Sequence, residues 1–316
     1  MNPAPPRVVA IVGPTASGKT ALAIEVARAC GAEIVNADSR QVFRRLDIGS
    51  AKPTPAERAA VPHHLIDVVE PDEPFSAAEF QRRALEVIDA IVARGRRVIV
   101  VGGTGLYVKA LRGGLFAGPP RDPELRARLE AEEDAEPGVL HRRLCEVDSE
   151  AAARIHAHDR IRLVRGLEVF ALTGRPISAL QREHAFGRRA VAMRTLAPAW
   201  PRAELYARID ARCVAMLDAG LVDEVRGLLA AGCDPGLSSL RSPGYREIIA
   251  HLRGDCNLER ALADMQKATR NLAKRQLTWF RNDPETEWLP PEAEVFVAAA
   301  AEWWDGGPGG RSESGL

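Results

Sequence analysis

The chain has no net charge, because 43 Lys and Arg are matched by 43 Asp and Glu in 316 residues. Bulk attraction to a polyanion is thereby excluded, and any nucleic-acid surface must arise from local clustering. Cysteine is scarce as well. Cys30, Cys145, Cys213, Cys233 and Cys256 are odd in number, widely spaced and form no C-x-x-C pair. That argues against a disulfide framework or a zinc site and for a reducing compartment. No apolar run reaches the roughly 18 residues that a membrane helix needs. Met1–Pro6 is too short and too rich in proline for a signal peptide. The expectation is a cytoplasmic monomer with no membrane partner. The remainder, 46 % hydrophobic and 27 % charged, is the composition of a globular chain long enough for about two domains.

Against that background one stretch stands out. Arg7–Val12 is an apolar, β-branched run that reads as a buried strand. Gly13-Pro14-Thr15-Ala16-Ser17-Gly18-Lys19-Thr20 behind it fits G-x-x-x-x-G-K-[ST] in full. Ala21–Ala29 reads as a helix closed near Gly31. In this order the backbone N–H groups converge on an anion at the helix N-terminus, and Lys19 adds a full positive charge. Thr20 is placed to offer its hydroxyl to a Mg²⁺ that travels with the phosphates. A di- or triphosphate ligand follows, with its identity left open.

Glu33–Ala37 reads as a second strand, and Asp38-Ser39-Arg40-Gln41 leaves its C-terminal end, the edge where open α/β sheets bind ligands. Asp47–Pro53 is a loop marked by Gly and Pro, and His63–Val68 reads as a strand. Ser76–Glu79 is a capping box opening a helix that stops near Gly95. Arg97–Val101 is a strand buried on both faces that runs into Gly102-Gly103-Thr104-Gly105. The alternation predicts an α/β protein with a parallel, P-loop NTPase-like sheet core whose first part covers residues 1–120. Residues 121–188 read as a charged helical insertion, in which Asp159 caps a helix ending at Gly174, with Arg162 and Arg165 on one face. Residues 189–305 return to the core through a strand at 190–196 and continue as helices over 202–231, 245–252 and 258–280. Residues 306–316 read as a disordered tail.

A nucleotide-hydrolysing P-loop protein usually ends a strand in an Asp that holds Mg²⁺. Here the corresponding strand ends in Gly-Gly-Thr, which leaves Asp38 as the carboxylate best placed beside Lys19. It could hold metal, take a proton from an acceptor substrate, or simply cap a helix. The last long helix carries Lys267, Arg270, Lys274, Arg275 and Arg281 with no acid between Asp264 and Asp283. Asn271, Gln276, Trp279 and Phe280 are interleaved with them. This is the local footprint of RNA binding, although a solvated helix face would show the same charges. His156-Ala157-His158-Asp159 and His63-His64 have no further ligand at suitable spacing and read as structural.

Taken together, Gly13–Thr20, Asp38–Gln41, Asp47–Pro53, Gly102–Tyr107, Arg241–Arg246 and Ala273–Arg281 resemble the tRNA dimethylallyltransferase (tRNA isopentenyltransferase) family, in order, over about residues 7–290. The phosphate loop alone is shared by many families; the whole set is specific. Two departures are small: Phe43 stands where the family leads us to expect Tyr, and Ser50 where we expect Thr.

The resemblance implies transfer of a dimethylallyl group from dimethylallyl diphosphate to N6 of the adenosine 3′ of the anticodon, with Mg²⁺ as cofactor and the anticodon stem-loop of tRNA as partner. It implies that Gly13, Pro14, Thr15, Ala16, Ser17, Gly18, Lys19 and Thr20, with Arg208, hold the diphosphate, Thr20 also holding the metal. Asp38 would accept the N6 proton, while Thr104 and Lys19 complete the catalytic set. The adenine must be flipped out of its stack to react. The resemblance further implies that tRNA is held by Asp38, Ser39, Arg40, Gln41 and Thr104, and by Arg126, Ile161, Arg162, Leu163, Val164 and Arg165 of the insertion. Arg241, Ser242, Pro243, Gly244, Tyr245 and Arg246 would join them, as would Lys274, Arg275, Gln276, Trp279 and Arg281. Two rival readings stay open on the residues alone. A P-loop small-molecule kinase would bind ATP, and a non-catalytic RNA-binding protein would use the loop to sense nucleotide. Both leave the middle and C-terminal motifs unexplained.

Overall fold

The computed structural model of the chain describes residues 4–116, 118–184 and 190–306. They fall into two compact units, one within 1–112 and 189–316, the other within 113–188. The first unit begins with β1 (Arg7–Val12), α1 (Lys19–Cys30), β2 (Ala32–Asn36), α2 (Pro55–Ala60), β3 (His63–His64), α3 (Ala77–Ala93), β4 (Arg97–Gly102) and α4 (Gly105–Gly113). The second consists of α5 (Pro123–Ala135), α6 (Val139–Val147), α7 (Ser149–Arg154), α8 (Arg160–Thr173) and α9 (Ile177–His184). The chain then returns to the first unit with β5 (Ala192–Pro198), α10 (Arg202–Asp218), α11 (Leu221–Ala230), α12 (Tyr245–Leu252) and α13 (Leu258–Arg281), followed by β6 (Thr286–Leu289) and α14 (Ala293–Asp305).

The six strands form one sheet in the order β3-β2-β4-β1-β5-β6, every neighbouring pair parallel. Val8–Val12 are fully buried because helices cover both faces. Phe80, Ile88 and Ile91 of α3 pack on one side, and Leu22, Ile24 and Val26 of α1 with Phe296 of α14 on the other. From β1 the chain crosses to β2, and from β4 to β5 in the opposite direction, so the strand order reverses between neighbouring β1 and β4. Their C-terminal ends are aligned, with Val12 opposite Gly102. A crevice outside such a reversal is where doubly wound sheets bind ligands.

Local differences from the sequence reading have local causes. The strand expected over 63–68 is only two residues long, because Leu65 and Asp67 take left-handed φ of 61° and 57° and turn the chain away. The helix expected over 202–231 is two, divided at Gly220, whose φ of 98° makes it the N-cap of α11. Only half of the capping box forms at Ser76. Its hydroxyl accepts from the Glu79 N–H at 3.1 Å, while the Glu79 carboxylate is drawn off by Arg82 and Arg83. β6 and α14 add to the elements that the sequence pattern predicts. β6 is a four-residue, half-buried edge strand with little apolar signal of its own. The expected tail beyond Gly306 lies outside the described residues.

Candidate active site

The phosphate loop joins β1 to α1. Gly18, in the left-handed region at φ 83°, is the N-cap of α1 and has no side chain to cap it. The first N–H groups of the helix therefore remain available to an anion. Lys19 Nζ donates to the Pro14 carbonyl at 3.2 Å. Burial pulls its amine down to about 8; the Asp38 charge opposes that and Arg212 reinforces it. Trp200 Nε1 donates to the Ser17 carbonyl and Arg208 Nε to the Ala16 carbonyl, both at 2.9 Å, and the Arg208 guanidinium stacks 4.4 Å over the Trp200 ring. The loop is thus clamped from α10 and from the short connection that leads into it from β5.

Opposite it stands the Asp38 turn. Asp38 Oδ1 accepts from the Arg40 N–H at 2.8 Å, and the Asp38 N–H donates to Asn36 Oδ1. Thr104 Oγ1 accepts from the Ser39 N–H at 3.0 Å, joining the end of β4 to the same turn. Gln276, on α13, reaches across. Its Oε1 accepts from the Thr15 N–H at 2.9 Å and its Nε2 donates to the Gly103 carbonyl at 3.0 Å. A Cβ on Gly103 would stand 2.3 Å from Gln276 Nε2, so this bridge requires glycine. Lys19, Thr20, Asp38 and Thr104 line one cavity of about 370 Å³, together with Ser50, Ala51, Arg212, Met216, Met265 and Arg275 among others.

Two features of this cavity escaped the sequence reading. Arg208 is engaged with the loop, whereas Arg212, one turn further along α10, lines the cavity with no hydrogen bond or ion pair to a described residue. Burial lowers its proton affinity, and the Asp38 charge supports it. The i, i+4 spacing of the two arginines was the available signal. The second is an apolar wall of Cys213, Met216, Met265 and Leu272. As for metal, no group of three or more His, Cys, Asp or Glu among the described residues could hold an ion. The Thr20 hydroxyl is a hard oxygen donor on the same cavity. Such a sparse set fits Mg²⁺ that arrives on phosphate oxygens and keeps its waters.

The residues assigned to tRNA divide by what already occupies them. Lys274, Arg275, Trp279 and Arg281 are exposed on α13, Arg241 is exposed, and Arg241, Ser242 and Pro243 line the cavity. Ile161 is 80 % exposed at the start of α8, with Arg162 beside it. Gln41 donates to the Ser50 and Ala51 carbonyls, and Arg40 to the Ser238 carbonyl at 2.7 Å. Eight more of the assigned residues are buried or already paired. Leu163 and Val164 are buried in the core of the helical unit, and Tyr245 is fully buried with its hydroxyl on Glu224, so none presents a surface. Gln276 has both ends of its amide committed to backbone, as above. Arg126 makes a two-pronged pair with the fully buried Glu168, at 2.7 and 3.0 Å, and Arg165 donates to the same carboxylate and to the Pro119 carbonyl. These arginines hold the unit together because a buried carboxylate must be neutralised. Gly244 is buried at a φ of 97°, and Arg246 pairs with Glu247.

Comparison with known proteins is consistent along the chain. The sequence model of the IPP transferase family matches residues 41–283. The chain is 53 % identical over 284 residues to a tRNA dimethylallyltransferase of Syntrophobacter fumaroxidans, covering 89 % of this chain and 83 % of that one. It is 50 % identical to that of Geobacter sulfurreducens, covering 90 % and 91 %. Among solved structures, the full-length tRNA isopentenylpyrophosphate transferase of Bacillus halodurans superposes with a TM-score of 0.70 at 36 % identity, covering 95 % of this chain and 97 % of that one. A eukaryotic dimethylallyltransferase acting on tRNA superposes with a TM-score of 0.81 over 95 % and 80 %, at 24 % identity, and shows the shared fold.

Proposed function

The chain belongs to the IPP transferase family, and on that footing we propose how its cavity divides the work. The reaction moves a dimethylallyl group from dimethylallyl diphosphate to N6 of the adenosine 3′ of the anticodon in tRNA, releasing diphosphate. The C1–O bond breaks with its electron pair leaving on the diphosphate, the N6–C1 bond forms, and N6 gives up a proton. The observation that carries the assignment is that Lys19, Thr20, Asp38 and Thr104 line one cavity while β4 ends without a carboxylate.

The N6 lone pair is delocalised into the adenine ring, so the amine attacks well only when the allylic carbon has begun to ionise. Ionisation needs stabilisation of charge growing on the leaving group. The uncapped N–H groups where the loop enters α1, the Lys19 ammonium and Arg212 supply it, with Arg208 holding the loop that presents them. Mg²⁺ bound beside Thr20 would neutralise further diphosphate charge. Asp38 accepts the N6 proton. One of its oxygens is held by the Arg40 N–H, and Oδ2 takes no hydrogen bond from a described residue. Thr104 keeps the Ser39 end of that turn in place. The flipped adenosine enters beside the Asp38 turn, and exposed Lys274, Arg275, Trp279 and Arg281 hold the flanking RNA. A tRNA substrate makes the cytoplasm the place of action.

The test supplies Mg²⁺, an anticodon stem-loop and radiolabelled dimethylallyl diphosphate, with γ-labelled ATP in a parallel tube. Label should enter RNA from the prenyl donor alone. Asp38→Ala should lower turnover by about 10²–10⁴, the range for a lost general base, with the donor still bound. Label moved or released from ATP alone would replace this reading with that of a kinase.

A further inference from the structure

The Asp47–Pro53 loop has no role in the scheme above, yet it forms part of the cavity wall through Gly49, Ser50 and Ala51. One carboxylate, Glu224 on α11, holds it. Glu224 Oε2 accepts from the Asp47 N–H at 3.0 Å and the Ile48 N–H at 2.6 Å, and Oε1 accepts from the Gly49 N–H at 3.1 Å. Three successive amides converging on an anion form a nest. A fourth donor, the Tyr245 hydroxyl, reaches Oε1 at 2.6 Å. Tyr245 is fully buried, and its burial together with the Glu224 charge pushes the phenol far up, so it stays a donor. Its ring lies against the Gly49 backbone so closely that a Cβ there would stand 2.5 Å from ring carbons.

The wall is connected to the catalytic turn. Gln41 Nε2 donates to the Ser50 and Ala51 carbonyls at 3.2 and 3.0 Å, and Gln41 closes the Asp38–Gln41 segment. At its far end the loop is pinned by buried Lys52, which donates to the Phe43 carbonyl and pairs with Asp47 and Asp67. We propose that Glu224, with Tyr245, is a positioning residue for prenyl transfer. It fixes the 47–51 wall from the C-terminal helices, and through Gln41 it sets the Asp38 turn against the acceptor nucleoside. The donor diphosphate, held by the phosphate loop, does not depend on it. This inference rests on the function proposed above.

Glu224→Gln tests it, since an amide nitrogen facing Oε1's donors can meet Tyr245 but leaves the Gly49 N–H unpaired. A misplacement near 1 Å costs up to about 100-fold in rate, so kcat should fall about 10- to 100-fold. Dimethylallyl diphosphate, titrated alone by calorimetry, should bind with wild-type stoichiometry and an affinity within about twofold, which loss of folded protein would not allow. Amide exchange at residues 47–49 should speed up while the phosphate-loop amides keep their protection. Gly49→Ala, which drives the wall off Tyr245, should give the same pattern. Wild-type transfer in the same assay establishes the reaction independently. Wild-type kcat in Glu224→Gln with faster loop exchange would overturn the positioning role. Turnover and donor stoichiometry falling together would overturn it too, making Glu224 a residue of general stability.

Discussion

Lys19 allows a quantitative prediction in a protein free of ligand. Among the described residues its amine has one hydrogen-bond partner, the Pro14 carbonyl, and burial draws its proton affinity from 10.5 down to about 8. At about 1.4 kcal/mol per tenfold change, the folded protein holds the ammonium at a cost of about 3 kcal/mol, or about 1–3 kcal/mol once its partial access to water is allowed for. Lys19→Met removes the charge and keeps the stem, so at pH 7 the variant should be more stable than wild type by that amount. The pH dependence has a definite sign. The unfolded chain keeps the Lys proton up to 10.5, whereas the folded one releases it from about 8. Between these values the unfolded state binds more protons, and wild-type stability gains with pH. The gap between the two proteins is therefore full below pH 8 and closes by about 10.5. Paired urea titrations at pH 7, 8, 9 and 10 measure it, because every other titrating group cancels in the difference. Diphosphate with Mg²⁺ should reverse the ranking, adding about 4.1 kcal/mol to wild type at about 1,000 times Kd and far less to the variant. A Lys19→Met protein no more stable than wild type at pH 7, or a gap that ignores pH, would refute the reasoning.

Replacing Lys274 and Arg275 by Ala should weaken RNA binding and reduce the slope of log K against log salt by about 0.7–0.9 per lost phosphate contact; an unchanged slope in a filter-binding titration would remove α13 from the RNA surface. Arg126→Ala should behave differently, leaving the slope intact but costing the helical unit about 3–5 kcal/mol, because Glu168 stays buried with one cation fewer. Thermal unfolding would register that loss. Glu168 is held down to about 2 by Arg126 and Arg165 against the opposing effect of burial. The stability this pairing contributes is present above about 4.5 and lost as pH falls toward 2, so an acid titration of the wild type should show a transition there that Glu168→Gln lacks.

How much of the molecule was legible in the sequence follows the range over which each feature is determined. β1, the phosphate loop and α1 lie within 24 consecutive residues, Arg7–Cys30, and their strand pattern, glycines and Lys-Thr pair specify that geometry locally. The same holds for β4 with its Gly-Gly-Thr end and for α8, whose Asp159 cap accepts from the Arg162 N–H. Short edge elements were less legible, since β6 carries half-buried residues and depends on β5 for its ladder. The sequence alone therefore settled that a phosphate-binding α/β core exists and, through its ordered motifs, which family it belongs to. It could not settle which polar side chains are free. Arg126, Arg162 and Arg165 look alike in the chain, but only Arg126 and Arg165 meet the buried Glu168. Gln276 looks like one more polar residue of a basic helix until packing sets it against Thr15, 261 residues away. Glu224 looks like a surface acid of an amphipathic helix until α11 brings it under the Asp47–Gly49 amides. Those outcomes belong to the tertiary structure, because a hydrogen bond or ion pair is decided by what stands within about 3 Å in space, and no local pattern encodes a partner that far along the chain.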